Sequence, residues 1–168
     1  MTLSELLATL PQVGHVDWIG VRPARRVPPI TVDVVEARIG AGLTGDRFSG
    51  SAESKRQVTL IQSEHLEAIG RLLHRDAVDP ALLRRNIVVR GINLLALNGA
   101  TFNIGQAVFE GTGGCHPCSR MEEALGAGGY NAMRGHGGIT ARIIEGGLIR
   151  IGDEVRLLRA GQLGRHEH

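Results

Sequence analysis

At 168 residues, with 42% hydrophobic composition, 3% aromatics and a formal charge of +2, the chain can build a core of its own, about one domain in size. The near-balanced charge and scarce aromatics exclude a basic nucleic-acid face. No apolar run of about 18 residues and no signal-peptide pattern is present, so the expectation is a soluble cytoplasmic protein, off the membrane, with its two cysteines reduced.

In chain order, residues 2–10 (TLSELLATL) predict a short amphipathic helix with Ser4 as cap and Pro11 as stop, lying on the core as a peripheral lid. Segments 13–22 and 30–39 are β-branched and partly alternating, which predicts a pair of strands. The prolines of 22–29 between them cannot sit in a central strand, so this is an exposed loop in which Arg22, Arg25 and Arg26 read as solvated. Residues 40–54 are too rich in Gly and Ser for a regular element and longer than the usual connection, hence functional or mobile. At their centre Gly45 can take a positive φ, Asp46 can accept from nearby backbone N–H groups, and Arg47 offers a planar fork to an anion.

Residues 57–62 read as a buried strand, followed by a helix capped by Ser63 with Leu66, Ile69 and Leu73 on its inner face and His65 and His74 towards solvent. Asp79-Pro80 opens a second short helix. Residues 86–90 return as a strand, which leaves Arg84, Arg85 and Asn86 at a helix-to-strand corner. Of two adjacent arginines, one is expected in solvent and one paired; facing a reactive loop, one becomes an anion clamp. Residues 100–110 predict a strand with a bulge at Gly105 that delivers the chain to Gly113.

The chemistry is placed at 113–121, GGCHPCSRM, which holds both cysteines. Pro117 suits the first position of a helix running to Leu125, and Cys118 then falls in the first turn, where free N–H groups and the helix dipole favour a thiolate. Arg120 adds positive charge, and Gly111, Gly113 and Gly114 allow close backbone approach. Three plainer readings compete. A thioredoxin-like dithiol is expected in a βαβ context, structural zinc needs four ligands and finds no second Cys pair, and a free Cys is commonly a small buried hydrophobe. The Gly-Pro setting argues against the last for Cys118 more than for Cys115. Residues 126–138 form a second Gly-rich loop able to close over a ligand, with His136 a candidate contact or an exposed loop histidine. Segments 139–145 and 148–158 predict a hairpin across Gly146-Gly147 with a kink at Gly152-Asp153, and the polar tail 161–168 is expected to fray. About seven strands, three or four short helices and no βα repeat predict a mostly-β (α+β) closed barrel with short peripheral helices, in a single domain whose core spans about 13–158.

In these features the chain resembles the MOSC domain, the module named after the C-terminal part of molybdenum-cofactor sulfurases. The resemblance runs from about Val16 to Leu158 and rests on four pieces in order. They are Gly45-Asp46-Arg47; Arg84-x-Asn86-Ile87-Val88 followed by Gly91; Pro117-Cys118 after Phe102-x-Ile104-Gly105; and Gly147-x-Ile149-x-x-Gly152-Asp153-x-Val155. It implies a β-barrel that binds the molybdenum cofactor (molybdopterin), with Cys118 as protein ligand to molybdenum or as carrier of sulfane sulfur. The cofactor's phosphate calls for arginine forks and glycine-loop donors, which places candidate contacts at Asp46, Arg47, Arg84, Asn86, Thr112, Gly113 and His136. Phe48 stands where many relatives carry a His, and there is no room for the extra N-terminal barrel of larger relatives, so weaker binding or a homodimer is expected.

Three functions follow from this reading. The first is an oxidoreductase that takes oxygen from an N-hydroxylated small-molecule substrate, with electrons from a separate donor protein. The second is a sulfur carrier using a Cys118 persulfide. The third is a non-enzymatic Cys115/Cys118 redox or binding domain.

Overall fold

The computed structural model describes residues 1–161, so the tail expectation lies, Gly161 aside, outside the described residues. Eleven strands form: β1 (Gly14–Val21), β2 (Ile30–Thr31), β3 (Val34–Arg38), β4 (Gly42–Leu43), β5 (Val58–Gln62), β6 (Ile87–Arg90), β7 (Thr101–Ile104), β8 (Ala107–Gly114), β9 (Ile139–Glu145), β10 (Gly147–Arg150) and β11 (Glu154–Arg159). Five short helices accompany them: α1 (Leu3–Ala8), α2 (Ser63–Leu72), α3 (Pro80–Leu83), α4 (Ser119–Leu125) and α5 (Gly129–Met133), with a 3-10 turn at Leu94–Leu97. None of the described helices is long and apolar enough to cross a membrane.

Seven strands close a mixed barrel in the order β1, β6, β5, β9, β8, β7, β11, and β11 pairs back onto β1 through Gly14↔Val155 and His15↔Glu154. The expected mostly-β barrel with peripheral helices is therefore what forms, since closure satisfies every edge that an open sheet would leave bare. Inside it, Phe102 and Phe109 sit directly opposite on β7 and β8 with ring centroids 5.8 Å apart, among Ile19, Leu60, Ile87 and Ile143. A second apolar cluster lies on the outer face of β5 and β6, where Ile61 and Val88 meet Leu66, Ile69, Leu83, Met121 and Met133 of the helices. β5 is buried at all five positions because the barrel interior covers one face and the helices cover the other. β10, β3 and β4 form a small separate sheet.

Several local expectations change. β5 and β6 are parallel, joined by a crossover through α2 and α3; β5 is buried throughout and β6 at its first three residues, on both faces, so they carry no alternation that would announce the pairing. Segments 139–145 and 148–158 do not form a hairpin. β9 pairs with β5 and β8, β10 leaves to pair with β3, and β11 returns to the barrel. Gly105 is a turn residue, φ +56°, in the tight β7–β8 connection and not a bulge, and segment 30–39 breaks into β2 and β3. Thr2 rather than Ser4 caps α1, through a reciprocal bond pair with Glu5, and no α1 residue is buried. Ser63 opens α2 without capping it, and the 126–138 loop contains α5.

Candidate functional site

The site is built outward from one carboxylate. Gly45, with φ +89°, turns the chain after β4, and the Asp46 side chain closes onto the end of β1. Its Oδ1 accepts from the Arg22 backbone N–H (2.8 Å), Arg22 Nε (3.1 Å) and Asn86 Nδ2 (3.0 Å). Its Oδ2 accepts from Arg22 Nη2 (2.9 Å) and the Phe48 N–H (3.2 Å). The carboxylate is 1% exposed. Burial alone would raise it, but the Arg22 guanidinium and N–H and the Asn86 amide outweigh that and hold it below the usual range.

A carboxyl depressed in the folded state stabilises fully above its unfolded value of about 4 and is lost as pH falls through the lower folded value. The acid limb of a stability–pH profile is thus expected to contain an Asp46 contribution below about pH 4 that disappears in Asp46→Asn, as read by urea unfolding at stepped pH.

Asn86 is fully buried and uses its whole amide. Oδ1 accepts from Thr59 N and Thr59 Oγ1 (3.1 and 3.2 Å), while Nδ2 donates to Gly20 O (3.1 Å) and Asp46. It cross-braces β1, β5 and β6. Asp46 therefore holds Arg22, and Asn86 holds Asp46, with the polar side-chain atoms of both occupied. Arg22, expected in solvent, is instead paired across 24 residues of sequence to a covered carboxylate, a contact between two irregular segments that no local pattern encodes.

Arg84 leaves α3 in the left-handed conformation, φ 57°, and its guanidinium donates to Val27 O (2.6 Å) and Ala24 O (3.2 Å), pinning the 22–29 loop. Burial lowers its pKa, and Arg22, Arg47 and Arg120 lower it further, with Asp46 opposing. Those charges mark one cationic cluster. Arg26, Arg84, Ser119, Arg120, Glu123 and Ala124 line a cleft of about 440 Å³ there, which begins one residue after Cys118.

Cys118 is exposed and free. It sits at the N-cap of α4 in extended conformation, φ −122° and ψ 176°, two positions earlier in the helix than expected, because the helix opens at Ser119 and Pro117 precedes it. Cys115 has the opposite fate. It is 1% exposed and free; its N–H donates to Gly138 O (2.8 Å), its Sγ accepts from Arg56 Nη2 (3.5 Å), and its carbonyl accepts from Arg85 Nη2 (3.3 Å). The helix-to-strand corner does face the cysteine loop, Arg84 through the cleft and Arg85 by direct contact with Cys115. Arg85 and Arg56, not singled out as contacts from the sequence, are the residues that hold the loop. The sequence marks Arg85 only as one of two adjacent arginines at a helix-to-strand corner, without showing which of them turns inward beside the fully buried Leu83 and Ile87.

The remaining candidates lie in neighbouring depressions. His136 Nδ1 is buried without a hydrogen-bond partner, and its ring meets His65 edge-on, with centroids 4.8 Å apart. His65 is thus half-buried and not simply solvent-facing; burial lowers its pKa, His136 adds to that, and Glu64 opposes. His65 also lines a pocket of about 240 Å³ with Gln62, Asn98, Gly114 and Gly138. Thr112 hydrogen-bonds the Lys55 carbonyl and Thr140 Oγ1, and lines a third cleft of about 330 Å³ with Glu53, Glu110 and Arg142. Gly113 lies opposite Thr140 in β8. The structure gathers Asp46, Arg47, Arg84 and Asn86 into one cationic corner beside the cysteine loop, and sets Thr112 in another cleft and His136 against His65. No group of three or more His, Cys, Asp or Glu among the described residues is arranged to hold a metal by itself.

Comparison with known proteins gives a consistent picture. The family model of the MOSC domain matches residues 40–156. Among solved structures, the YuaD protein from Bacillus subtilis superposes with a TM-score of 0.76 at 18% identity, covering 92% of this chain and 100% of that one. YiiM from Geobacillus stearothermophilus gives 0.73 at 16% identity over 91% and 78% of the two chains. YiiM from Escherichia coli gives 0.66 at 19% over 86% and 69%. At these identities the likeness is one of fold. No protein of curated function matches the chain.

Proposed function

The chain belongs to the MOSC domain family, which is associated with molybdenum cofactor binding, and from that premise we propose that it is a molybdenum-cofactor-dependent oxidoreductase with Cys118 as the protein's ligand to the metal. The observation that supports this most is that Cys118 is exposed and its chain neighbour Ser119 lines a cleft together with Arg26, Arg84 and Arg120. The donor set fits the group. A lone thiolate is a suitable soft ligand for a metal whose other ligands arrive with its cofactor, and arginine forks bind a terminal phosphate bidentately.

When bound, the cofactor supplies a metal that polarises the departing oxygen and cycles between oxidation states. The chain's own residues do the rest. Cys118 fixes the group at the mouth of the loop, while Arg84, Arg120 and Arg47 neutralise its phosphate. The Asp46–Arg22–Asn86 brace keeps that corner from collapsing or drifting, as positioning of a reactive centre requires. The substrate is an N-hydroxylated small molecule. Its N–O bond breaks, two electrons arrive from a separate redox protein, two protons are taken up, and the reduced nitrogen compound and water leave.

One observation favours a second reading, a sulfur carrier. Cys118 is reachable and has no side-chain hydrogen bond among the described residues, so its thiolate is free to take the outer sulfur of a donor persulfide, whose own thiolate leaves. Elemental analysis and intact mass of protein from a cofactor-producing host separate the two. The oxidoreductase reading expects roughly one molybdenum per chain. Metal-free protein carrying one reducible extra sulfur on Cys118 would overturn it in favour of the carrier.

A further inference from the structure

Arg85 is 5% exposed and has no carboxylate partner among the described residues. A buried cation without a counter-ion is expensive unless it is hydrogen-bonded, and each of the three nitrogens of this one donates to a backbone carbonyl, in three segments. Nε donates to Gly137 O (2.9 Å), Nη1 to Leu83 O (2.8 Å) and Nη2 to Cys115 O (3.3 Å). Lysine cannot copy this, because only the planar fork sends donors in three fixed directions. Burial works against the Arg85 charge, as do Arg56 and Arg22.

Two of the segments it joins continue β8 and β9, which pair up to Gly114↔Ile139, and Arg56 reaches the Cys115 sulfur. Cys115 N–H to Gly138 O (2.8 Å) is a further tie, and at Gly137 the backbones approach so closely that a Cβ would stand 2.1 Å from the Cys115 carbonyl. Beyond Cys115 only His116 and Pro117 intervene before Cys118, whose carbonyl is taken by the Met121 N–H (2.9 Å) of α4. The position of Cys118 is thus strung between α4 and the Arg85 contact.

We infer that Arg85 is the positioning residue of the cysteine loop: its guanidinium staples Cys115 to the Gly137 segment and the Leu83 corner, and thereby sets where Cys118 presents its sulfur. This deepens the proposed function, since it rests on Cys118 being the functional sulfur, while its test reads Cys115 and needs no metal.

The full chain as purified is alkylated with iodoacetamide under native conditions, and the labelled cysteines are located by mass spectrometry of peptides. In wild type Cys115 stays protected. In Arg85→Ala its labelling is expected to rise at least about tenfold, the population change that accompanies loss of one charge-assisted hydrogen bond from a locally opening segment. Added methylguanidinium, able to occupy the vacated space, is expected to restore protection, whereas the same concentration of tetramethylammonium is not. A folded Arg85→Ala in which Cys115 remains closed overturns the inference. So does one that opens but ignores methylguanidinium, because the opening is then a cavity effect. If Arg85→Ala does not fold, Arg85→Lys takes its place: intermediate labelling supports the staple, and wild-type protection overturns it. Failure of the molybdenum reading would appear instead as metal-free wild-type protein, which the labelling does not depend on.

Discussion

Cys118→Ser is expected to leave the fold intact and to strip the protein of molybdenum, while Cys115→Ser does the reverse. The Cys118 side chain is exposed and caps nothing, so its replacement falls with surface substitutions, within about 0.5 kcal/mol of wild type. What it removes is softness. A serine hydroxyl stays protonated at neutral pH and offers a hard oxygen where a thiolate was required, so metal content and reductase activity are expected to fall at least about a hundredfold. Cys115 is 1% exposed and packed between Arg56 and the Gly138 segment. Serine there keeps an acceptor for Arg56 but buries a hydroxyl where a larger, less polar sulfur sat, for a loss of about 1–2 kcal/mol. Calorimetry and elemental analysis of both variants give the outcome. Equal metal loss in the two would point to a paired dithiol and sink the single-ligand assignment; retention of metal by Cys118→Ser would sink it outright.

The difference between the two cysteines shows how far the sequence reaches. The Gly-Pro setting marks Cys118 as the unusual one because it depends on chain neighbours, and neighbours are what a sequence displays. Its position relative to α4 is displaced by two residues because Cys118 is extended, φ −122°, and the helix opens only at Ser119. The barrel itself is legible in its alternating strands: Phe102 and Phe109 fall inward on β7 and β8 at the period that strands require. The β5–β6 crossover escapes the same test, since strands buried on both faces look alike to a period-two reading. The Asp46 turn is readable as a turn, but its partner Arg22 lies 24 residues away, and Arg85 reaches 30 residues to Cys115 and 52 to Gly137. Pairings of that kind arise only when closure of the barrel brings loop ends together, so the residues that hold the site are less visible than the residue that carries its chemistry.

That closure also predicts which of two left-handed glycines, Gly135 and Gly138, is indispensable. Gly135 and Gly138 share nearly the same backbone conformation, φ +81° and +87°, so alanine at either meets a similar left-handed penalty of about 1–2 kcal/mol. Their surroundings differ completely. A Cβ on Gly135 would find nothing within 4 Å, whereas one on Gly138 would lie 1.8 Å from the Leu60 carbonyl oxygen and 3.0 Å from the Ile61 Cα. That carbonyl cannot retreat, because Leu60 pairs with Ile139 in the β5–β9 ladder and with Ile87 in the β5–β6 ladder. To admit the methyl group, the start of β9 must peel from β5, taking with it the Gly138 carbonyl that receives the Cys115 N–H. Overpacking against rigid backbone adds about 1–3 kcal/mol, and the broken hydrogen bonds about 1 kcal/mol each. Gly138→Ala is therefore expected to lose more than about 3 kcal/mol and Gly135→Ala only about 1–2 kcal/mol, measured by urea unfolding with unchanged m-values. Equal losses at the two positions would mean that β5 and β9 are not locked at this point, and the anchoring of the cysteine loop through Gly138 would have to be given up.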